Sequence, residues 1–250
     1  MKTFHGRVCV VTGAGSGIGR SLAAALEDAA HGAKVNGYVV DVADRDAVFA
    51  HADQVAADLG PAELVVNNAG VALSASLAET TYDNFDWLMG INFWGVVHGT
   101  QAFLPQLSAG SDTHLVNISS LFGLLGMPKQ AAYRSAKFAV RGFTESVRQE
   151  LKLQRSPVAV SCVHPGGIKT AIARNARVGA SEDATRTAGL FDKVAFTSAD
   201  SAAATILRGV RRGRGRILVG LDAKALDLLP RALGSGYQML NTAGVQHLDY

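Results

Sequence analysis

Residues 8–19 read Val8-Cys9-Val10-Val11-Thr12-Gly13-Ala14-Gly15-Ser16-Gly17-Ile18-Gly19. A short β-branched run ends at Thr12, a glycine-rich turn follows, and a helical pattern opens at Ile18 and runs to Ala30. Glycines at such a turn let the backbone fold tightly and let a pyrophosphate approach it. The helix end adds free N–H groups and a positive dipole. The plain alternative is an ordinary strand-to-helix turn. The strand before the motif and the helix after it favour the phosphate reading.

The same alternation continues along the chain. Candidate strands are Arg7–Thr12, Val35–Asp41, Glu63–Asn67, His114–Ser119, Val158–His164 and Arg216–Gly220. Candidate helices are Ile18–Ala30, Asp44–Leu59, Tyr82–Leu107, Ala131–Gln154 and Ala199–Arg212. Strands of nearly continuous apolar character, separated by helices, predict an α/β fold: a single-domain, Rossmann-type, doubly wound parallel sheet with helices on both faces. No linker divides residues 1–250. The stretch Ala171–Thr197 lacks periodicity and is expected to be an irregular substrate loop, and residues 221–250 form a C-terminal extension.

Composition narrows the function classes. The 250 residues are 48% hydrophobic and 18% charged, with a net charge of +3. That is ordinary globular composition, and the charge is too small to imply nucleic acid. Cys9 and Cys162 each sit in an apolar run and read as small buried strand residues, without a disulfide framework. The seven histidines are scattered, so no metal site is expected. The N-terminus lacks the apolar core of a signal peptide, and no run is long enough to span a membrane. A cytoplasmic location follows as an expectation.

Further short motifs follow in order. Asn67-Asn68-Ala69-Gly70 closes the third candidate strand, where Asn and Gly suit a turn in any case. Asp41-Val42 ends an earlier strand, although Asp41 could equally cap the next helix. Asn92 lies in Gly90-Ile91-Asn92-Phe93-Trp94-Gly95, an apolar setting for a mediocre helix former. Ser119 and Ser120 end a strand, and 13 positions after Ser120 comes Tyr133, with Lys137 four further on. Four positions apart on a helix means one face. An ammonium beside a phenol favours the phenolate, which suits a proton donor and acceptor. Lastly, Val163-His164-Pro165-Gly166-Gly167-Ile168-Lys169-Thr170 follows the strand near residue 160.

The spacing Thr-Gly-x-x-x-Gly-x-Gly from Thr12 to Gly19, joined to these motifs in this order, resembles the classical short-chain dehydrogenase/reductase family. The likeness covers nearly the whole chain. It implies an oxidoreductase that moves a hydride between a nicotinamide cofactor and a secondary alcohol or ketone. It implies Tyr133 as catalytic acid/base, Ser120 as hydrogen-bond partner of the substrate oxygen, Lys137 on the cofactor ribose, and Asn92 holding a water in the proton path. Ser119 could be the exposed serine instead, since neighbouring strand residues face opposite ways. Cofactor contacts are implied at Gly13, Ser16, Gly17, Ile18, Gly19, Asp41, Val42, Asn68, Ala69, Gly70, Tyr133, Lys137, Pro165, Gly166, Ile168 and Thr170.

One departure stands out. Gly19 and Asp41 lie only 22 positions apart, where the family pattern places a helix, a strand, another helix and a third strand. At typical lengths those elements need roughly 40 to 45 residues. Either the sequence lacks a stretch that the natural chain carries, or the deletion is genuine and cofactor binding is in doubt. A missing inner strand would leave backbone groups unpaired, which favours the first. The residue that selects between NAD and NADP would lie there, so the cofactor is expected to be NAD or NADP, with NAD preferred.

Leu121-Phe122-Gly123-Leu124-Leu125-Gly126-Met127-Pro128 and Leu190-Phe191 predict a hydrophobic small-molecule substrate, or else core residues. Arg208, Arg211, Arg212, Arg214 and Arg216 form a basic cluster without aromatic partners, read as a solvated helix end rather than an RNA site. Ala223–Leu233 is amphipathic and interrupted by Pro230. A homodimer or homotetramer paired through the helices at Tyr82–Leu107 and Ala131–Gln154 is implied by the resemblance. A cofactor-binding scaffold that has lost catalysis and an NADPH-dependent carbonyl reductase are the rival readings.

Overall fold

The structure, a computed structural model, describes residues 1–30 and 33–246. Its centre is a parallel sheet of β1 (Cys9–Val11), β2 (Leu64–Asn67), β4 (Thr113–Ile118), β5 (Val158–Pro165) and β9 (Arg216–Val219), in the order β1-β2-β4-β5-β9. Two short parallel pairs stand outside it: β3 (Leu73–Ser74) with β7 (Arg177–Val178), and β6 (Ile168–Lys169) with β8 (Thr197–Ser198). The helices are α1 (Gly17–Ala30), α2 (Arg45–Leu59), α3 (Tyr82–Met89), α4 (Gly95–Ala109), α5 (Ala131–Leu153), α6 (Ala184–Val194), α7 (Ala199–Arg211), α8 (Leu221–Leu233) and α9 (Tyr237–Gln246).

Strand periodicity sorts the sheet's side chains to two cores. Leu64, Val66, Val116 and Ile118 pack with Leu22 and Leu26 of α1 and Ile206 and Val210 of α7. Val65, Leu115 and Val160 pack with Val48 and Val55 of α2, Phe103 and Leu107 of α4, and Leu151 of α5. With both faces covered, β2 and β4 are buried at every position. All strands are parallel, so their C-terminal ends open on one edge, where the turns after β1, β2, β4 and β5 converge.

Four expectations need correction. Val35–Asp41 is not a strand. Val39 is fully exposed, Tyr38 and Val40 lean on the second core, and the Tyr38 hydroxyl donates to Asp58 at 2.8 Å. A strand exists only through a ladder partner. On that side the sheet ends at β1, whose only sheet neighbour among the described residues is β2. The single helix expected at Tyr82–Leu107 is broken by a π-helical turn at Gly90–Trp94. The stretch Ala171–Thr197 is not irregular throughout: it holds β7 and the 11-residue α6, which Asp183 caps by accepting from the backbone N–H groups of Thr185 and Arg186. Finally, Pro230 does not interrupt α8. It falls in the last turn, where its missing N–H costs a single ladder bond, and the helix ends at Gly234.

Cys162 is buried as expected, but Cys9, on the edge strand, is only half-buried. Desolvation pushes both thiols up to about 12, so neither is a ready nucleophile. Within the basic cluster, Arg208, Arg211, Arg212 and Arg214 are exposed at the end of α7, while Arg216 is paired with Glu145 at 2.6 Å and Asp227 at 3.2 Å.

Candidate active site

The glycine loop is shaped by contact with the turn after β2. Gly13 has φ +66°, and a Cβ there would stand 2.9 Å from the Ala69 Cα; a Cβ at Gly19 would stand 2.3 Å from the Gly13 carbonyl oxygen. The Thr12 hydroxyl accepts from the backbone N–H of Asn68 at 2.9 Å and of Ala69 at 3.0 Å. The Asn68 amide returns a bond to the Thr12 carbonyl at 2.9 Å. Thr12, the first letter of the motif, is thus the stitch between the two loops, a role that the spacing alone does not reveal. The loop's outer side is open: a Cβ at Gly15 would meet nothing within 4 Å, Ser16 is exposed, and the first turn of α1 holds no acidic side chain.

At the end of β4 the two serines part. Ser119 is buried, and its hydroxyl donates to the Lys137 carbonyl at 2.8 Å. Ser120 faces the Tyr133 phenol, whose ionisation its hydroxyl favours, and accepts from the Phe122 N–H at 3.1 Å. The structure therefore brings Ser120, not Ser119, to the tyrosine. His164 of β5 holds the Ser120 carbonyl through Nδ1 at 2.9 Å. Nothing in the local pattern signals that support beyond an apolar strand ending in a histidine.

Tyr133 and Lys137 share one face of α5, with Nζ 5.8 Å from the tyrosine ring centroid. Lys137 is buried and donates to the Ile118 carbonyl at 3.0 Å. Burial pushes its ammonium down to about 8. Burial also raises Tyr133, opposed by the nearby Ser120 hydroxyl and the charge of Arg134. The expected lowering of the phenol by Lys137 is thus not what the protein alone produces, because desolvation outweighs every nearby charge. Arg134, unremarked in the sequence, is buried, lies 3.9 Å from the Phe122 ring centroid, and donates to the Leu125 carbonyl.

Asn92 is fully buried in the π-helical turn, which excludes a solvated helix position. Its amide oxygen accepts from the Val71 N–H and its NH2 donates to the Val71 carbonyl, both at 2.8 Å. The side chain therefore forms a backbone clamp beside Gly70. A second polar chain joins Asn67 to Asn117 at 2.9 Å and Asn117 to the Thr144 hydroxyl at 3.1 Å, tying β2, β4 and α5 together.

The Pro165–Thr170 turn lies against the glycine loop: the Thr170 methyl carbon would stand 3.0 Å from a Cβ at Gly17. Asp41 and Val42 lie at the other end of the crevice. The Asp41 carboxylate accepts from the Ala43 N–H at 2.9 Å, and Val42 packs on Gly95. The cap of α2 is Asp44, which accepts from the Ala47 N–H at 3.0 Å, so Asp41 is not that cap.

The short chain dehydrogenase family model matches residues 24–180. The chain is 50% identical over 268 residues, covering 98% of this chain and 97% of the relative, to the Mycobacterium tuberculosis protein SadH, named as an oxidoreductase. It is 32% identical over 197 residues, covering 70% of this chain and 66% of the relative, to the human protein named estradiol 17-beta-dehydrogenase 11. Among solved structures, a Burkholderia phymatum short chain dehydrogenase/reductase in complex with NAD superposes with a TM-score of 0.87 at 26% identity, covering 95% of this chain and 97% of that one. The chain belongs to the short-chain dehydrogenase family. It is accordingly an NAD(P)-dependent oxidoreductase by family. The SadH alignment spans 268 positions against a chain of 250, so at least 18 of them have no residue here. The short Gly19–Asp41 segment is where such residues would belong.

Proposed function

We propose that the chain catalyses reversible hydride transfer between a nicotinamide cofactor, NAD in preference to NADP, and a hydrophobic secondary alcohol or its ketone. The observation that carries this reading is that Ser120 faces the Tyr133 phenol, with Lys137 buried on the same helix face as the tyrosine.

The residues present fit the cofactor at two of its three parts. The open side of the glycine loop, with Gly13, Ser16, Gly17, Ile18 and Gly19, offers unpaired backbone donors and a helix dipole to a pyrophosphate. Asn68, Ala69 and Gly70 back that loop, and Pro165, Gly166, Ile168 and Thr170 line the end where a nicotinamide would sit. At the adenosine end the candidate contacts are Asp41 and Val42. When bound, the nicotinamide supplies or accepts the hydride. Ser120 would hold the substrate oxygen, and Tyr133 would give it a proton in reduction or take one in oxidation. Burial keeps Tyr133 in its neutral form, which suits proton donation to a ketone. Oxidation by the same residue should therefore quicken as pH rises.

The apolar substrate class rests on a narrower base than the sequence suggests, because Leu121, Leu124 and Leu125 are buried, Leu121 and Leu125 in a cluster with Ala223 of α8. What remains outward is Met127 together with Leu190 and Val194 of α6, whose C-terminal end lies against Gly167. The human relative's name, which gives estradiol as what it dehydrogenates, supports the same class. The domain reading is one unit over residues 1–250, with 171–197 as substrate loop and 221–250 as C-terminal extension. A homo-oligomer in the cytoplasm completes the proposal, paired through α4 and α5, beside which Trp94 and Phe138 stand exposed; no helix among the described residues is long and apolar enough to cross a membrane.

A panel of secondary alcohols, from steroids to short polyols, followed by NADH absorbance tests the reading. Turnover of the apolar members supports it, and preference for short polyols overturns the substrate class. A second reading, a scaffold that has lost turnover, is favoured by the bare adenosine end, and it requires NADH to bind while no alcohol is oxidised.

A further inference from the structure

The turn after β5 carries backbone that faces the nicotinamide end, yet it contains two successive glycines, Gly166 and Gly167, that cannot stiffen it by themselves. Two bonds from outside do so. The Gly166 N–H donates to the Val219 carbonyl at 2.9 Å, and the Gly167 N–H donates to the Asp222 carboxylate at 2.6 Å. The first is an ordinary continuation of the β5–β9 ladder. The second comes from a charged side chain in the first turn of α8, and a carboxylate accepting from a backbone N–H is among the stronger hydrogen bonds a protein makes.

The surroundings are cut to fit that carboxylate. A Cβ at Gly166 would stand 2.1 Å from it, and a Cβ at Gly220, where φ is +98°, would stand 2.2 Å from it. Both glycines leave the space that the carboxylate fills. On its other side Gly167 is held by the end of α6: a Cβ there would stand 2.5 Å from the Val194 carbonyl oxygen, and the Thr197 N–H donates to the Gly167 carbonyl at 3.3 Å. Gly167 is therefore fixed through its N–H by Asp222 and through its carbonyl by the substrate loop, immediately before Ile168.

We propose that Asp222 is a positioning residue for the reaction, which fixes the Gly167–Thr170 backbone and so sets the affinity and alignment of the nicotinamide ring. It rests on the reading that this turn holds the nicotinamide end of the cofactor. Asp222 touches neither substrate nor reacting atoms. It acts because a displacement of about 1 Å at such a site costs on the order of a hundredfold in rate.

The test compares wild type, D222N and D222A by NADH fluorescence titration, by KM for cofactor and alcohol, and by thermal melting. D222A should weaken NADH binding by about tenfold or more and raise the cofactor KM in parallel, while the KM for alcohol stays within about twofold. D222N keeps an acceptor oxygen and loses only the charge, so it should lie between, at about threefold to fivefold. A lower melting temperature with unchanged NADH affinity in D222A would reduce Asp222 to a structural role and overturn the proposal. Should D222A not fold, D222N decides: NADH affinity equal to wild type overturns it. Wild-type protein that binds no NADH overturns this proposal and the functional reading together, whereas tight wild-type binding with an unchanged D222A overturns this one alone.

Discussion

The two ends of the cofactor crevice are built to different standards. At the proposed nicotinamide end the backbone around the candidate residues is held by neighbouring side chains. Ser119 holds the Lys137 carbonyl, His164 holds the Ser120 carbonyl, and Asp222 holds Gly167. At the adenosine end, residues 33–43 run without a ladder, Val35 and Val39 face solvent, and Asp41 is occupied by its own turn. Both ends hang from the same sheet, so the difference does not lie in the scaffold. A site is made by its second layer of contacts, and among the described residues no strand beside β1 supplies one at the other end.

The largest effect that would break this contrast is at Tyr133. Y133F should lower kcat by about a thousandfold, within the range for a lost acid/base, while NADH affinity stays near wild type. Turnover surviving at the wild-type rate would remove Tyr133 from the chemistry. Next in size is the response to acid, which involves His164 at the well-built end and His114 near the opposite end of the sheet. Burial depresses His114 and His164 to about 4 from an ordinary 6.5. Both are neutral in the folded chain, and unfolded chains bind more protons between those values. Their stabilising neutrality is complete above about pH 6.5 and is lost as pH falls toward 4. Each should cost up to about 3 kcal/mol across that window. Chemical denaturation at pH 7 and pH 5 measures the sum, and H164N should flatten part of it.

A third comparison weighs the two ends directly. Reduced nicotinamide mononucleotide lacks the AMP half, adenosine and one phosphate, and it should bind within about tenfold of NADH, a difference of at most ~1.4 kcal/mol. A gap of a hundredfold or more would show that the AMP half is firmly engaged, by residues 33–43 or by the glycine loop. The smallest effect concerns the segment 171–197, where the Arg177 guanidinium lies 3.7 Å from the Trp87 ring centroid and donates to Asn84 at 2.9 Å. R177A should loosen the loop by about 1 kcal/mol, the scale of an exposed cation–π contact. Faster proteolytic cleavage within residues 171–197 would report it.

The contrast also marks what a sequence can say. The main-sheet strands, the glycine loop and the Ser120–Tyr133–Lys137 set were legible because each depends on local pattern and spacing. Val35–Asp41 has the apolar character of a strand and is none, since strand formation belongs to a pair and no described strand pairs with it. Leu121, Leu124 and Leu125 look alike in sequence whether they wall a substrate or fill a core; the position of α8 decides, and that is a long-range fact. Asp222 and Arg134 were missed because their partners, Gly167 and Leu125, lie at separations that no periodicity encodes. An aspartate two positions past a strand-ending glycine, opening a helix, was the available clue for the first.

The π-helical turn at Gly90–Trp94 has a consequence of its own. It encloses one more residue than an α turn would, so it acts as a phase shift between α3 and α4. Each residue of an α-helix turns the next by about 100°. Deleting one residue there would let the two helices fuse into one continuous rod, and everything on one side of the join would rotate by that angle. Asn92 would then exchange its clamp on Val71 for another heading. Its inward direction is a matter of counting: the chain carries one residue too many for a smooth helix, and that surplus is what aims the amide.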